Sequence, residues 1–172
     1  KVNLTLPYVG GIEGVWQPDE HEQRAAWQLY IELVTRIAVA ELKPHEGSLR
    51  EALYSLHALF DITRKILRES GPSVARPKGE HNLSLGFIAV AILNTVLRPV
   101  LAKWHPLLSD YEAQKEPPVS TFDHEQRWAK AEELREVLNG VRLVLIEYAN
   151  LLAQVASVPP ITVQLFEDTS TR

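Results

Sequence analysis

The stretch SLREALYSLHALFDITRKILRESGP, residues 48–72, decides the fold class. Leu49, Leu53, Leu56, Phe60 and Leu67, with Ala52, Leu59 and Ile66 beside them, recur at three- and four-residue steps, the spacing that lines one face of an α-helix. Ser48-Leu49-Arg50-Glu51 has the spacing of a capping box, and Ser70-Gly71-Pro72 is a strong helix stop. The same period returns on both sides. Trp27, Tyr30, Ile31, Val34, Ile37 and Ala38 predict an earlier helix with those residues on its core face. It should start at Asp19, where the carboxylate caps free amides and Glu20 and Glu22 suit the positive end of the dipole, and end near Leu42.

Downstream, the apolar run Leu83–Leu97 predicts a third helix reaching Trp104, apolar almost all round and therefore enclosed by neighbours. Pro99 removes an amide and crowds the preceding turn, which predicts a kink between Thr95 and Pro99 and a restart after Pro106 as Leu107–Gln114. Leu134, Leu138, Val141, Leu145, Tyr148 and Leu152, widened by Val137, Val144, Leu151 and Val155, predict a last helical region from about Asp123 to Val158. The expected fold is all-α: a single-domain, up-and-down bundle of four to five main helices over residues 1–172, with a kinked, buried central helix.

Residues 1–18 read as an extended hexamer followed by a loop from Pro7 to Pro18, and 159–172 as a tail. Both Lys1–Leu6 and Ile161–Phe166 alternate, so the termini are expected to pair as a small β-ribbon. Gly71–His81 is a polar loop long enough to carry function. The tetrapeptide His-Glu-Gln-Arg occurs at 21–24 and again at 124–127, each time opening a long helix. Duplication of a two-helix unit is one account of it, and the general preference for acidic residues in a first helical turn is the other.

Composition narrows function. With 172 residues, 45% of them hydrophobic, the chain can bury a core without staples. The absence of cysteine excludes disulfides, thiolate metal sites and a cysteine nucleophile, and suits a cytoplasmic setting. A net charge of -4 and a pI near 5.9 argue against duplex nucleic acid as a partner. The chain has no methionine, which suggests a piece of a longer protein, and membrane attachment is expected only through a missing upstream segment. No signal peptide is visible, and Leu83–Leu97 falls short of the roughly 18–20 apolar residues a span requires.

No nucleotide cradle, nucleophile elbow or His-Glu-x-x-His pair is present, so cofactor-free chemistry is expected and no metal site. One spacing has a mechanism attached. Arg followed seven residues later by His occurs at Arg50/His57 and at Arg98/His105, which places each pair on one helical face about 10 Å apart. In an all-helical setting this motif resembles the HEPN nuclease family, in which such a pair cleaves RNA without metal. The resemblance implies Arg50 as the cation stabilising phosphate charge and His57 as the proton carrier. Arg50-Glu51 matches the family's polar residue after the arginine, whereas Arg98-Pro99 departs from it. The ordinary alternative is that both residues belong to solvated helix faces.

The second constellation is Asn94, Arg98, Trp104, His105 and Tyr111, the polar and aromatic groups of the most apolar region. A buried Arg98 needs a partner, either Asp110, Glu112 or Glu147, or an anionic ligand such as a nucleotide phosphate. Trp16, Trp27, Trp104 and Trp128 read as core or interface anchors, and Arg64, Lys65 and Arg68 as a solvated face. The wide apolar stripe of the last helix suits a homo-oligomer or a partner protein. The favoured expectation is a non-catalytic helical binding or assembly module for signalling, sensing a small anionic or nucleotide ligand; the rival is the HEPN-like ribonuclease.

Overall fold

The computed structural model describes residues 2–6, 12–78 and 83–160. Its elements are strands β1 (Val2–Leu6) and β2 (Ile12–Trp16), then helices α1 (Glu20–Val34), α2 (Leu49–Ser70), α3 (Leu85–Ala91), α4 (Arg98–Glu112), α5 (Thr121–Gln126) and α6 (Ala131–Ala156). The chain is an all-α bundle with one small β-hairpin. β1 pairs antiparallel with β2, from Val2 opposite Trp16 to Leu6 opposite Ile12. The segment expected to be loop from Pro7 to Pro18 therefore supplies a strand. The expected partner Ile161–Phe166 lies outside the described residues.

α1 opens with a complete capping box: Glu22 N donates to Asp19 Oδ1 at 2.9 Å and Asp19 N to Glu22 Oε2 at 3.2 Å. It stops at Val34, short of the expected Leu42, and a 3₁₀ turn over Ile37–Val39 follows. Val34, Thr35, Ile37 and Val39 are β-branched and lose rotamer freedom in a helix, and Arg36 adopts extended backbone there. The core-facing stripe is Ala25, Ala26, Leu29, Tyr30 and Leu33, while Trp27 and Ile37, expected inside, are 42% and 40% exposed. Two adjacent alanines give α1 a low edge for packing, and it lies against α6 and α2.

α2 matches its sequence pattern, ending at Gly71, whose positive φ of 74° suits glycine. Its N-terminal box is only half present. Ser48 Oγ accepts from Glu51 N, but the carboxylate serving the helix start comes from Glu125 of α5, which accepts from the amides of Leu49 and Arg50 and from Ser48 Oγ. Glu22 does the equivalent for α3, accepting from Leu85 N at 3.1 Å while Ser84 caps the helix locally. The repeated His-Glu-Gln-Arg thus has a shared physical use: its glutamate, buried in both copies, serves the start of a different helix at a Ser-Leu pair. Lys78 Nζ binds Asp19 and Glu22, each at 2.6 Å, and so ties the end of the 71–78 segment to α1.

α3 and α4 form one continuous rod from Leu85 to Glu112, joined by a π-turn over Ile92–Leu97. Where a kink was expected between Thr95 and Pro99, the helix instead continues through this wider turn, which precedes Pro99, where the proline nitrogen cannot donate. Pro106 sits inside α4 without interrupting it, contrary to the expected restart. By length and composition this rod passes for a membrane span, yet its inner face (Leu85, Ile88, Ile92, Leu97, Trp104, Leu108) belongs to the core. Its other face, with Phe87, Val90, Asn94, Thr95 and Arg98, is exposed, so the rod is not surrounded as expected.

The last helical region is interrupted between α5 and α6, where Trp128 turns inward against Trp104 at 6.0 Å and Tyr111 at 5.6 Å. α6 then runs to Ala156 with Leu134, Leu138, Leu145, Leu152 and Val155 in the core, and among its large apolar side chains Leu143 is exposed. Buried Arg135 donates to the carbonyls of Lys43 and Glu46, both at 2.9 Å, and Asn139 brackets Leu42, fixing the turn before α2.

Candidate functional site

α2 and α4 run antiparallel along one side of the bundle: Arg50 meets Glu112 and Ser109, His57 meets His105, and Phe60 meets Arg98. Between them lies an open groove of about 430 Å³ lined by His57, Phe60, Arg64, Arg98, Leu101, Ala102 and His105. That volume falls within the roughly 300–1,000 Å³ of small-molecule sites. Four of the seven lining side chains carry nitrogen donors, and none is a carboxylate.

The floor is Phe60. Arg98 from α4 and Arg64 from α2 both place their guanidinium carbons over its ring, at 5.4 and 5.8 Å from the centroid. Each such contact is worth about 0.5–1 kcal/mol where exposed, enough to bias two long side chains toward the same ring. Arg64 also donates to Asp61 Oδ1 at 2.9 Å and to the Phe60 carbonyl. Arg98 is exposed, not buried as expected, and none of Asp110, Glu112 or Glu147 is its partner. Its Nε and Nη2 donate to Asn94 Oδ1 at 3.1 and 2.9 Å, a neutral acceptor that leaves the positive charge uncompensated by a carboxylate.

At the other end stand two imidazoles, His57 and His105, with ring centroids 6.0 Å apart. His105 is anchored from behind. Arg50, largely buried, gives Nε and Nη2 to the two oxygens of Glu112, Nη2 also to Ser109 Oγ at 3.2 Å, and Nη1 to His105 Nδ1 at 3.3 Å. A guanidinium can only donate, so Nδ1 accepts and the ring proton sits on Nε2. Burial first, then the charges of Arg50 and His57, hold the His105 pKa below its ordinary 6.5, with Glu112 pulling weakly the other way. Tyr54 covers His105 edge-on at 5.5 Å.

The two residue sets singled out from sequence are thereby rearranged. Arg50 and His57 share a helix face, but His105 stands between them and Glu112 engages Arg50. Of the second set, Asn94, Arg98 and His105 belong to the groove or its edge. Trp104 is core, packed edge-to-face on Trp128. Tyr111 is a structural latch: it stacks on His124 at 4.1 Å, its hydroxyl donates to the His124 carbonyl, and His124 Nε2 donates to the Tyr111 carbonyl. Phe60 and Arg64 are site residues the sequence reading placed elsewhere; the available signal was that Arg64 follows His57 by two helical turns and so shares its face. Among the described residues no cluster of acids or histidines could hold a metal ion. No family model, curated protein or solved structure matches the chain.

Proposed function

We propose that this chain is a helical binding module that takes a small anionic ligand, a nucleotide or another phosphate-bearing molecule, in the groove between α2 and α4. The observation that carries the reading is the meeting of Arg64 and Arg98 over Phe60 in a groove with no lining carboxylate, in a protein of net charge -4. Arg64 is paired with the exposed carboxylate of Asp61, but Arg98 has only the neutral Asn94, so the two guanidinium groups over one ring leave a net positive charge that an anion relieves. Guanidinium groups suit phosphate oxygens through paired donors, and Phe60, Leu101 and Ala102 offer apolar surface for the body of the ligand. Arg50 and Glu112 serve the site from behind by holding His105.

The test is calorimetric titration of the purified protein with nucleoside mono- and diphosphates. Binding is expected for wild type, weakened at least about tenfold by Arg98→Ala, the loss of one charge-assisted contact. Undiminished affinity in Arg98→Ala would overturn the assignment of the groove. The HEPN-like ribonuclease retains one favourable observation, the His57–His105 pair beside Arg98, which offers two proton-transfer groups and a cation. Cleavage of a short RNA by wild type and its loss in His57→Ala would replace the binding reading with that one.

A further inference from the structure

We infer that the groove is a proton-linked site: a dianionic ligand binds together with a proton, taken up by the His57–His105 pair. This rests on the anion-binding reading above and adds to it the ligand's charge class and its regulation by pH. Imidazole is the side chain whose charge changes between about pH 5 and 8, and here two imidazoles 6.0 Å apart line the same groove as two arginines.

The groups facing the pair set the direction of the effect. From α2, His105 meets Arg50, Tyr54 and His57; on its own helix it has Ser109 near its partner Arg50, and Glu112. His57 faces His105, with Arg64 and Arg98 lining the same groove. The lining groups are thus mainly cationic, and the nearby carboxylates are both engaged: Glu112 with Arg50, and Asp61, one turn beyond His57 on α2, with Arg64. In the empty groove an added proton meets like charge. A bound dianion reverses that sign, so ligand and proton each favour the other by the same free energy. The two rings differ in access: His57 is exposed to the groove, whereas a proton on His105 Nδ1 would require Arg50 to withdraw.

Sulfate is the discriminating probe, because it keeps two negative charges across the neutral range and any pH dependence of its binding belongs to the protein. Titration calorimetry is run at about pH 8 and about pH 6, and at the lower pH in two buffers of different ionisation enthalpy. Sulfate is expected to bind about three- to tenfold more tightly at the lower pH, as one partly linked proton allows. The two buffers should give different apparent enthalpies, the sign of proton uptake. His57→Gln, at an exposed position, should flatten the pH dependence, and Arg98→Ala should weaken binding at both pH values. Equal affinity at both pH values with no buffer dependence, while Arg98→Ala still weakens binding, would overturn the proton linkage and leave the anion site standing. Absence of any sulfate or phosphate binding at either pH would overturn both.

Discussion

Arg50 fills His105 Nδ1, so the ring proton sits on Nε2, which is buried and has no hydrogen-bond partner among the described residues. That arrangement also makes its protonation a destabilising event. The folded pKa lies below the unfolded value near 6.5, owing first to burial and then to Arg50 and His57. Below about pH 6.5 the unfolded chain therefore binds more protons than the folded one at this position, and stability falls with falling pH. The urea midpoint should be lower at pH 5.5 than at pH 7.5, and His105→Gln should remove part of that slope. An unchanged slope in His105→Gln would assign the acid sensitivity elsewhere. Asp19 acts in a separate, lower window: its hydrogen bond from Lys78 holds its pKa below 3.8, and the stability it contributes is lost only as pH falls below that value.

At the scale of elements, the start of α2 depends on a residue far along the chain. Glu125 accepts from the amides of Leu49 and Arg50 at 2.8 and 3.1 Å, in a buried setting where an unmet amide costs about 1–3 kcal/mol. Glu125→Ala should lower unfolding free energy by about 2–4 kcal/mol, against about 1 kcal/mol for the local cap in Ser48→Ala. A Glu125→Ala loss no larger than that of Ser48→Ala would mean that the local cap suffices. This contrast also marks what was legible in the sequence. The apolar stripe and the stop of α2 are local and could be read directly, as could Asp19 as the start of α1. The use of His-Glu-Gln-Arg could not, because which helix start a glutamate reaches is decided by packing.

The π-turn is a third case. Pro99 announced a distortion, but an i→i+5 turn delays the side-chain phase by about one residue relative to an unbroken helix, so Arg98 could not be assigned to the inner or outer face by counting. The interruption between α5 and α6 had no breaker to reveal it, since Arg127, Trp128, Ala129 and Lys130 all accept helical geometry; it follows from the docking of Trp128 on Trp104 and Tyr111. Arg98, His105 and His57 were identifiable by spacing, whereas Arg64 and Phe60 joined them only once the antiparallel register of α2 and α4 was fixed.

For the whole molecule, one continuous core connects every helix except short α5, and the helices that form the groove are clamped from behind by groups remote from it. Glu125 fixes the start of α2, the Tyr111–His124 latch fixes the end of α4, and Arg50 joins the two helices through Glu112. The groove, lined by two arginines and two histidines, therefore lies on helices tied together at both ends within an acidic protein, and on the reading proposed above that contrast suits small anions better than extended polyanions. An amide NMR titration with inorganic phosphate tests this most directly, because it reports every position at once. Saturable shifts are expected at 57–64 and 98–105 and should be absent in Arg98→Ala; saturable shifts centred elsewhere in the bundle, with those two segments unmoved, would place the anion site outside the α2–α4 groove.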